Sequence, residues 1–324
     1  MPERKKPIKL YMVLPCYNEE EVLQSSAETV LRLFDDLIKK AEIKKGSRIL
    51  FVDDGSKDGT WEIISRLHEK DRRFCGIRLS KNKGHQIAIY AGMNYAVDRG
   101  CDCVVTIDAD LQQDIEALPD FLQKFREGND IVYGIRDSRN TDRFFKKTSA
   151  TIYYKAMRLL GCNLVEQSAD YRLLSARAVR SLSSYKESNL FIRGLVPEMG
   201  YQSDVVYFHV REREAGTSKY TLKKMLTLAL DGITSFSITP IRWVILLGLI
   251  VFLISIVMMV MTLIDHMRNV TVPGWSTLTI SIWFLGSVQL LSIGIIGEYV
   301  GRTYMEAKNR PRYFISDITG ESDD

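Results

Sequence analysis

Three short apolar runs in this chain end in acidic clusters, and each cluster has the composition of a nucleotide or cation site. Pro15-Cys-Tyr-Asn-Glu-Glu follows the first, Asp53-Asp-Gly-Ser-Lys-Asp-Gly-Thr the second, and Asp108-Ala-Asp-Leu-Gln-Gln-Asp another further on. A carboxylate beside Gly and Ser accepts hydrogen bonds from ribose hydroxyls or a base N–H. Asp108 and Asp110 are expected to point differently, one toward a ribose and the other toward a hard cation. Carboxylate and amide oxygens suit Mg²⁺ or Mn²⁺, which would bridge substrate phosphates. The Gly-x-x-x-x-Gly-Lys-Ser/Thr and Gly-x-Gly-x-x-Gly patterns are both missing, so P-loop and Rossmann cofactor readings lose their main support. His85 in NKGHQ is a candidate base. A lone histidine after glycine is more often a hydrogen-bonded structural residue, and that role is the expected one.

The elements that must position these clusters alternate. Residues 8–14, 49–52, 75–79, 103–107 and 131–133 read as strands, and 19–41, 59–69 and 86–97 as helices. Such alternation predicts βαβ units, a mostly parallel sheet and a ligand site at the strands' carboxyl ends.

A second kind of region begins near residue 240. Residues 243–264 are 22 positions without a charge and 278–296 are 19 more. At about 1.5 Å per residue the first would span roughly 33 Å, matching a hydrocarbon core of about 30 Å. Two crossings return the chain to its starting side. Arg302, Lys308, Arg310 and Arg312 follow the second run, whereas the connection at 265–277 has only Arg268 as a firm positive charge. The excess of positive charge predicts that the amino-terminal domain and the tail are both cytoplasmic. Just before the first run, Leu222, Met225, Leu226, Ala229, Leu230, Ile233 and Phe236 recur at helical spacing, with Lys219, Lys223, Lys224 and Asp231 mostly on other faces. This pattern predicts a basic amphipathic helix in the headgroup layer. Gly286, Ser287, Ser292 and Gly294 would permit close helix packing, as in a homo-oligomer.

Composition bounds the rest. The 324 residues hold 44 Lys plus Arg and 40 Asp plus Glu, a net charge of +4 that argues against a nucleic-acid partner. Cys16, Cys75, Cys101, Cys103 and Cys162 are an odd set without zinc-site spacing, as expected of reduced thiols. The amino terminus has basic residues but no apolar core or small-residue cleavage site, so a secretory signal is not expected.

Taken together, PCYNEE, DDGSKDGT, NKGHQ, DADLQQD, SADYRLL and REREAGTSKY resemble the motifs of inverting GT-A glycosyltransferases. The similarity is to the polyprenyl-phosphate branch, which includes bactoprenol glucosyltransferases and dolichol-phosphate mannose synthases. The ending GEYVGRTYMEAKNRPRYFI is similar to the bacterial bactoprenol members. The resemblance covers nearly the whole chain. It implies a GT-A catalytic domain over residues 1–217, an amphipathic interfacial helix and linker over 218–240, two membrane helices within 241–297, and a cytoplasmic basic tail over 298–324. Pro15, Tyr17, Glu19, Val52 and Asp54 would line the nucleotide pocket, with Asp108 and Ala109 beside the ribose. Asp110 and Gln112 would ligate Mg²⁺ or Mn²⁺. Arg136, Arg213 and Lys219 match phosphate-contacting positions, and Gly216 and Ser218 favour a phosphate-binding loop. Asp170 matches a candidate base or positioning residue, and Tyr153 and Tyr154 could shape the acceptor entrance.

The implied reaction moves a hexose, glucose from UDP-glucose in the first instance, to undecaprenyl or another polyprenyl phosphate with inversion. GDP-mannose, UDP-N-acetylhexosamine and aminoarabinose donors stay open. A processive polysaccharide synthase is disfavoured because its Gln-x-x-Arg-Trp signature is missing: Thr239 stands at the Gln position before Arg242-Trp243. A non-catalytic nucleotide-sugar-binding scaffold is disfavoured because Asp108, Asp110, Arg136, Arg213 and Lys219 are all present.

Overall fold

The computed structural model describes residues 6–136, 168–187, 190–209, several positions between 244 and 257, and 274–320. The chain divides into two compact units. One comprises Met1–Tyr154, Asn163–Lys219 and Arg310–Asp324, and the other Lys155–Cys162 and Tyr220–Asn309.

The first unit is built on an eight-stranded sheet. In chain order its elements are β1 (Leu10–Cys16), α1 (Leu23–Lys39), β2 (Arg48–Asp53), α2 (Thr60–Lys70), β3 (Phe74–Leu79), α3 (His85–Asp98) and β4 (Cys103–Thr106). A 3₁₀ turn at Ile115–Ala117 leads into α4 (Leu118–Arg126) and β5 (Ile131–Arg136). Then come β6 (Ser168–Ser175), α5 (Ala176–Ser184), α6 (Ile192–Glu198) and β7 (Ser203–Phe208), and β8 (Ile315–Ile318) lies near the carboxyl terminus.

The sheet order is β7-β5-β6-β4-β1-β2-β3-β8. Seven of seven residues in β1 are buried, as a strand covered on both faces requires. α1 covers one face with Leu23, Ala27, Val30, Leu33, Phe34 and Leu37, spaced at one side of a helix. β1 pairs in parallel with β2 on one side and β4 on the other, and β2 with β3. The order therefore reverses beside β1, and a crevice opens at the carboxyl ends of β1, β2 and β4. β6 runs antiparallel to both β4 and β5, so β5 points the same way as β4. As a result Arg136, at the end of β5, and Asp170, near the start of β6, share the edge that carries the Asp108 cluster. The five expected strands are present. β6, β7 and β8 are additions to the expected sheet, and three of its seven pairings are antiparallel.

In the second unit, α7 (Trp275–Ala307) is a 33-residue helix, about 50 Å long. It outruns the charge-free stretch at 278–296 because Glu298, Arg302 and Glu306 are good helix formers. Its segment Phe284–Ala307 contains an 18-residue window with a mean hydropathy of 1.4, and among the described residues it is the one helix long and apolar enough to cross a membrane. Leu290 and Ile293 are exposed. Val244, Leu246, residues 248–250, Leu253, Ile254, Ile256 and Val257 are also helical, and Leu246, Leu249, Ile250, Leu253, Ile254, Ile256 and Val257 are exposed. The expected amphipathic helix, Gly216, Ser218, Tyr153 and Tyr154 lie outside the described residues.

Candidate active site

The first two acidic clusters form one structure. Asp54 N donates to the Cys16 carbonyl at 2.9 Å, which ties the end of β2 to the end of β1. Asn18 turns through a positive φ of 54°, a conformation Asn tolerates. Its N–H donates to Ser56 Oγ at 3.0 Å and its Oδ1 accepts from Lys57 N at 2.9 Å. Glu19 N donates to Thr60 Oγ1 at 3.0 Å, and Gly59 N to Glu20 Oε2 at 2.7 Å. Gly55 has φ +69°, and a Cβ there would stand 2.8 Å from Asn82 N and 2.9 Å from the Lys81 carbonyl carbon. Only glycine lets this turn lie against the loop after β3.

Asp53 and Asp54 serve different partners. Asp53, fully buried, accepts from Ser56 N at 2.9 Å and faces Arg78 Nε at 3.2 Å. Asp54 accepts from Lys83 N at 2.7 Å and Gly84 N at 2.8 Å, and so holds the start of α3. Burial raises the pKa of both, against these hydrogen bonds. Tyr17 is 43% exposed, whereas Pro15, Val52 and Ala109 are buried at or just beyond the ends of β1, β2 and β4. Glu19 is half-buried.

The third cluster separates its two aspartates by a turn. A continuing strand would put residues two apart on one face. Here Leu111 N donates to the Asp108 carbonyl at 3.1 Å and Leu111 has φ +47°, so Asp108 turns inward and Asp110 is exposed. Gln113, buried, accepts from Asp108 N at 3.1 Å through Oε1, and its Nε2 donates to Asp108 Oδ2. Gln112 donates to Asp110 from its backbone N at 3.2 Å and from Nε2 at 2.7 Å. Among the described residues no three His, Cys, Asp or Glu side chains converge as a metal cage. An exposed carboxylate with a neighbouring amide fits a hard cation that takes its other ligands from phosphates and water. Ligation by Gln112 would require its amide to turn its oxygen outward.

Asp170 is the centre of a charged network that joins four segments. Its Oδ1 accepts from Arg172 Nη2 at 2.6 Å and Arg193 Nε at 3.1 Å, and its Oδ2 from Arg193 Nη2 at 2.8 Å. Gln86 Nε2 lies 3.4 Å from both oxygens. His85 Nε2 bridges two acids, 3.4 Å from Asp108 Oδ1 and 3.5 Å from Asp170 Oδ2. Burial would raise the Asp170 pKa, but His85 and the two arginines outweigh it and hold the carboxyl well below the usual range. For His85, burial favours the neutral ring, yet Asp170 and Asp108 prevail and raise its pKa. Burial also raises Asp108, with Asp170 adding to the effect and His85 opposing it. The acid best placed by motif as a base is therefore the one most firmly ionised. Arg136 is exposed, and Arg213 and Lys219 lie outside the described residues. Gln86, Gln113 and Arg193 were not singled out from sequence. Gln86 sits in the NKGHQ motif and Gln113 in DADLQQD, whereas nothing local marks Arg193.

The chain is similar to several known proteins. The chain is 48% identical over 313 residues to an uncharacterized glycosyltransferase, YkoT, of Bacillus subtilis, covering 97% of this chain and 92% of that one. It is 39% identical over 310 residues to a prophage-derived bactoprenol glucosyl transferase of Shigella flexneri, covering 95% and 97%. A prophage bactoprenol glucosyl transferase homolog of Escherichia coli is 36% identical over 313 residues, covering 96% and 99%. Among solved structures, glucosyl-3-phosphoglycerate synthase of Mycobacterium tuberculosis aligns with a TM-score of 0.47 at 17% identity, covering 71% of this chain and 79% of that one. The profile of Glycosyl transferase family 2 matches residues 11–183, which contain all three acidic clusters and the Asp170 network up to Arg172, and the chain belongs to that family.

Proposed function

We propose that this protein transfers a hexose, glucose from UDP-glucose in the first instance, to undecaprenyl or another polyprenyl phosphate with inversion at the sugar carbon. The observation that carries the reading is the joining of two features in one chain. One is the set of three acidic clusters gathered at the carboxyl ends of β1, β2 and β4, with Tyr17 and Asp110 exposed. The other is a long apolar helix, α7, with exposed side chains, together with a second charge-free run at residues 243–264 of the sequence. Bactoprenol glucosyl transferases at 36–39% identity over nearly their whole length support the same acceptor class.

In this reading Tyr17, Glu19 and Asp54 hold the nucleoside with Pro15 and Val52, and Asp108 with Ala109 lies beside the ribose. Asp110 and Gln112 would hold Mg²⁺ or Mn²⁺, which when bound supplies positive charge to the donor diphosphate. An acceptor phosphate oxygen attacks the sugar carbon from the face opposite the diphosphate. The carbon–oxygen bond to the diphosphate breaks, and its electron pair leaves with the nucleoside diphosphate. Asp170 fixes Arg193 and Arg172 as a cationic wall, and Arg136, Arg213 and Lys219 offset the repulsion between two phosphate groups. A radiolabelled donor panel with purified protein and undecaprenyl phosphate tests the function. Counts moving into the organic phase with UDP-glucose are the expected result. Another productive donor reassigns the sugar, and label that stays aqueous with every donor refutes the transfer.

The same reading places the protein in the bacterial inner membrane with two spans. Residues 1–240 and 298–324 are cytoplasmic and 265–277 lie outside. Single cysteines introduced at 265–277 should react with an impermeant maleimide added to intact cells. Labelling of that connection only after the cytoplasmic side is exposed overturns the topology.

A further inference from the structure

We infer that the segment following the long apolar helix completes the nucleoside subsite, with Ser316 and Asp317 of β8 binding the nucleoside half of the donor. The inference rests on the proposed function, since it takes the crevice beside Tyr17 as the place of the nucleotide. A cavity of about 470 Å³ opens there, within the range of roughly 300–1,000 Å³ common for small-molecule sites. Tyr17, Gly55 and Asn82 line it from the loops after β1, β2 and β3, and Ser316 and Asp317 from the other end of the sequence.

The pairing of β8 explains how two consecutive residues line one cavity. In a regular strand neighbouring residues face opposite sides. β8 runs antiparallel to β3 with Ile77 opposite Ile318 and Arg78 opposite Asp317, but Leu79 then faces Ile315. Ser316 is thus the extra residue of a bulge, the device by which an edge strand re-aims a side chain. Ser316 Oγ lies 3.3 Å from the Arg78 carbonyl, so the bulged residue stays tied to β3 at the cavity wall.

The segment is also firmly held. Ser80 N donates to the Phe314 carbonyl at 3.0 Å, Thr319 N to the Gly76 carbonyl at 3.0 Å, and Gly76 N to Thr319 Oγ1 at 2.9 Å. Arg312 Nε donates to the Glu187 carbonyl at 3.0 Å, and its guanidinium lies 4.8 Å from the centre of the Tyr90 ring. Ser316 Oγ donates to Asp317 Oδ2 at 2.7 Å, which orders the two polar groups relative to each other.

The chemistry matches a nucleoside. The exposed ring of Tyr17 offers a stacking face. The Asn82 amide supplies a donor and an acceptor, and the Asp317 carboxylate accepts from a base N–H or a ribose hydroxyl. Lys57, Arg78 and Lys81 in the same wall favour an anionic ligand over a neutral nucleoside.

UDP and GDP titrated calorimetrically against the detergent-solubilised full chain test the assignment. Asp317→Asn and Ser316→Ala should each weaken binding of the preferred nucleotide by about three- to tenfold, the loss of one side-chain hydrogen bond. The donor KM should rise in parallel, with the acceptor KM and the melting temperature unchanged. Native nucleotide affinity in both variants overturns the role of β8 and leaves the proposed function intact. Failure of the native chain to bind either nucleotide removes the proposed donor class itself. A loss shared equally by donor and acceptor, with a lower melting temperature, makes β8 a structural strap and also overturns the inference.

Discussion

An Asp110→Ala variant should lose about 10³-fold in turnover, or roughly 4 kcal/mol of transition-state stabilisation. Asp110 is exposed at the carboxyl edge of the sheet while its neighbour Asp108 is turned inward against His85 and Gln113. It is thus the carboxylate of the pair that can face a diphosphate. Negative charge would grow on that diphosphate as the bond to the sugar breaks, and a cation held by Asp110 would supply positive charge there. The donor KM should change far less than kcat, because much of this interaction strengthens only in the transition state. Mn²⁺ titrated in the presence of UDP, followed by electron paramagnetic resonance, gives a readout independent of turnover. The variant should bind the ion at least about tenfold more weakly, whereas Asp108→Asn should retain it better. Full activity of Asp110→Ala in excess chelator would remove the metal assignment altogether.

The parts of this fold that were legible from sequence are those whose physics is local. β1, β2 and β4 are buried on both faces, so they read as near-continuous apolar runs, and the acidic residues that end them stand out by contrast. β6 was missed for the opposite reason. Asp170 and Arg172 occupy alternate positions beside Tyr171 and Leu173, so half of the strand looks like a polar loop. Its charges are stable inside only because they pair with each other and with Arg193. β7 and β8 lie at the two edges, where short and partly exposed strands have little apolar signature.

The site divides in the same way. Asp108 and Asp110 were visible as a cluster, but the turn that separates their roles depends on a positive φ at Leu111. Gln86 and His85 were visible as part of a motif, yet their partner Asp170 lies 84 and 85 positions away. Arg193 has no local mark and becomes a site residue only when α6 packs beside β6. Contacts of this range belong to the topology rather than to spacing along the chain.

Asp170→Asn separates the two roles open to that residue. A base must have room for a proton and a pKa near the working pH. Asp170 has neither: Arg172, Arg193, Gln86 and His85 surround both its oxygens, and its pKa lies well below 3.8 despite burial. The proposed acceptor would also have little need of a base, because a phosphate monoester with a second pKa of about 6 is largely a dianion at neutral pH. The variant should therefore lose about 10²-fold in kcat, the scale expected when a charged group is displaced by about 1 Å. Arg172 then stays buried beside a neutral amide, so the variant should also melt at a lower temperature, and turnover is best compared well below its own transition. The pH dependence decides between the roles. Asp170 is ionised throughout pH 6–8.5, so its own titration contributes nothing to the profile. His85 does contribute. Its raised pKa depends on Asp170, so in the variant it loses its proton at a lower pH than in the native chain. Any benefit of the imidazolium is present below that pKa and lost as pH rises, which makes the deficit constant or wider between pH 6 and neutrality. A positioning role leaves the deficit standing at pH 8.5. Convergence of variant and native rates at pH 8.5, where the acceptor has shed its last proton unaided, would instead make Asp170 the base.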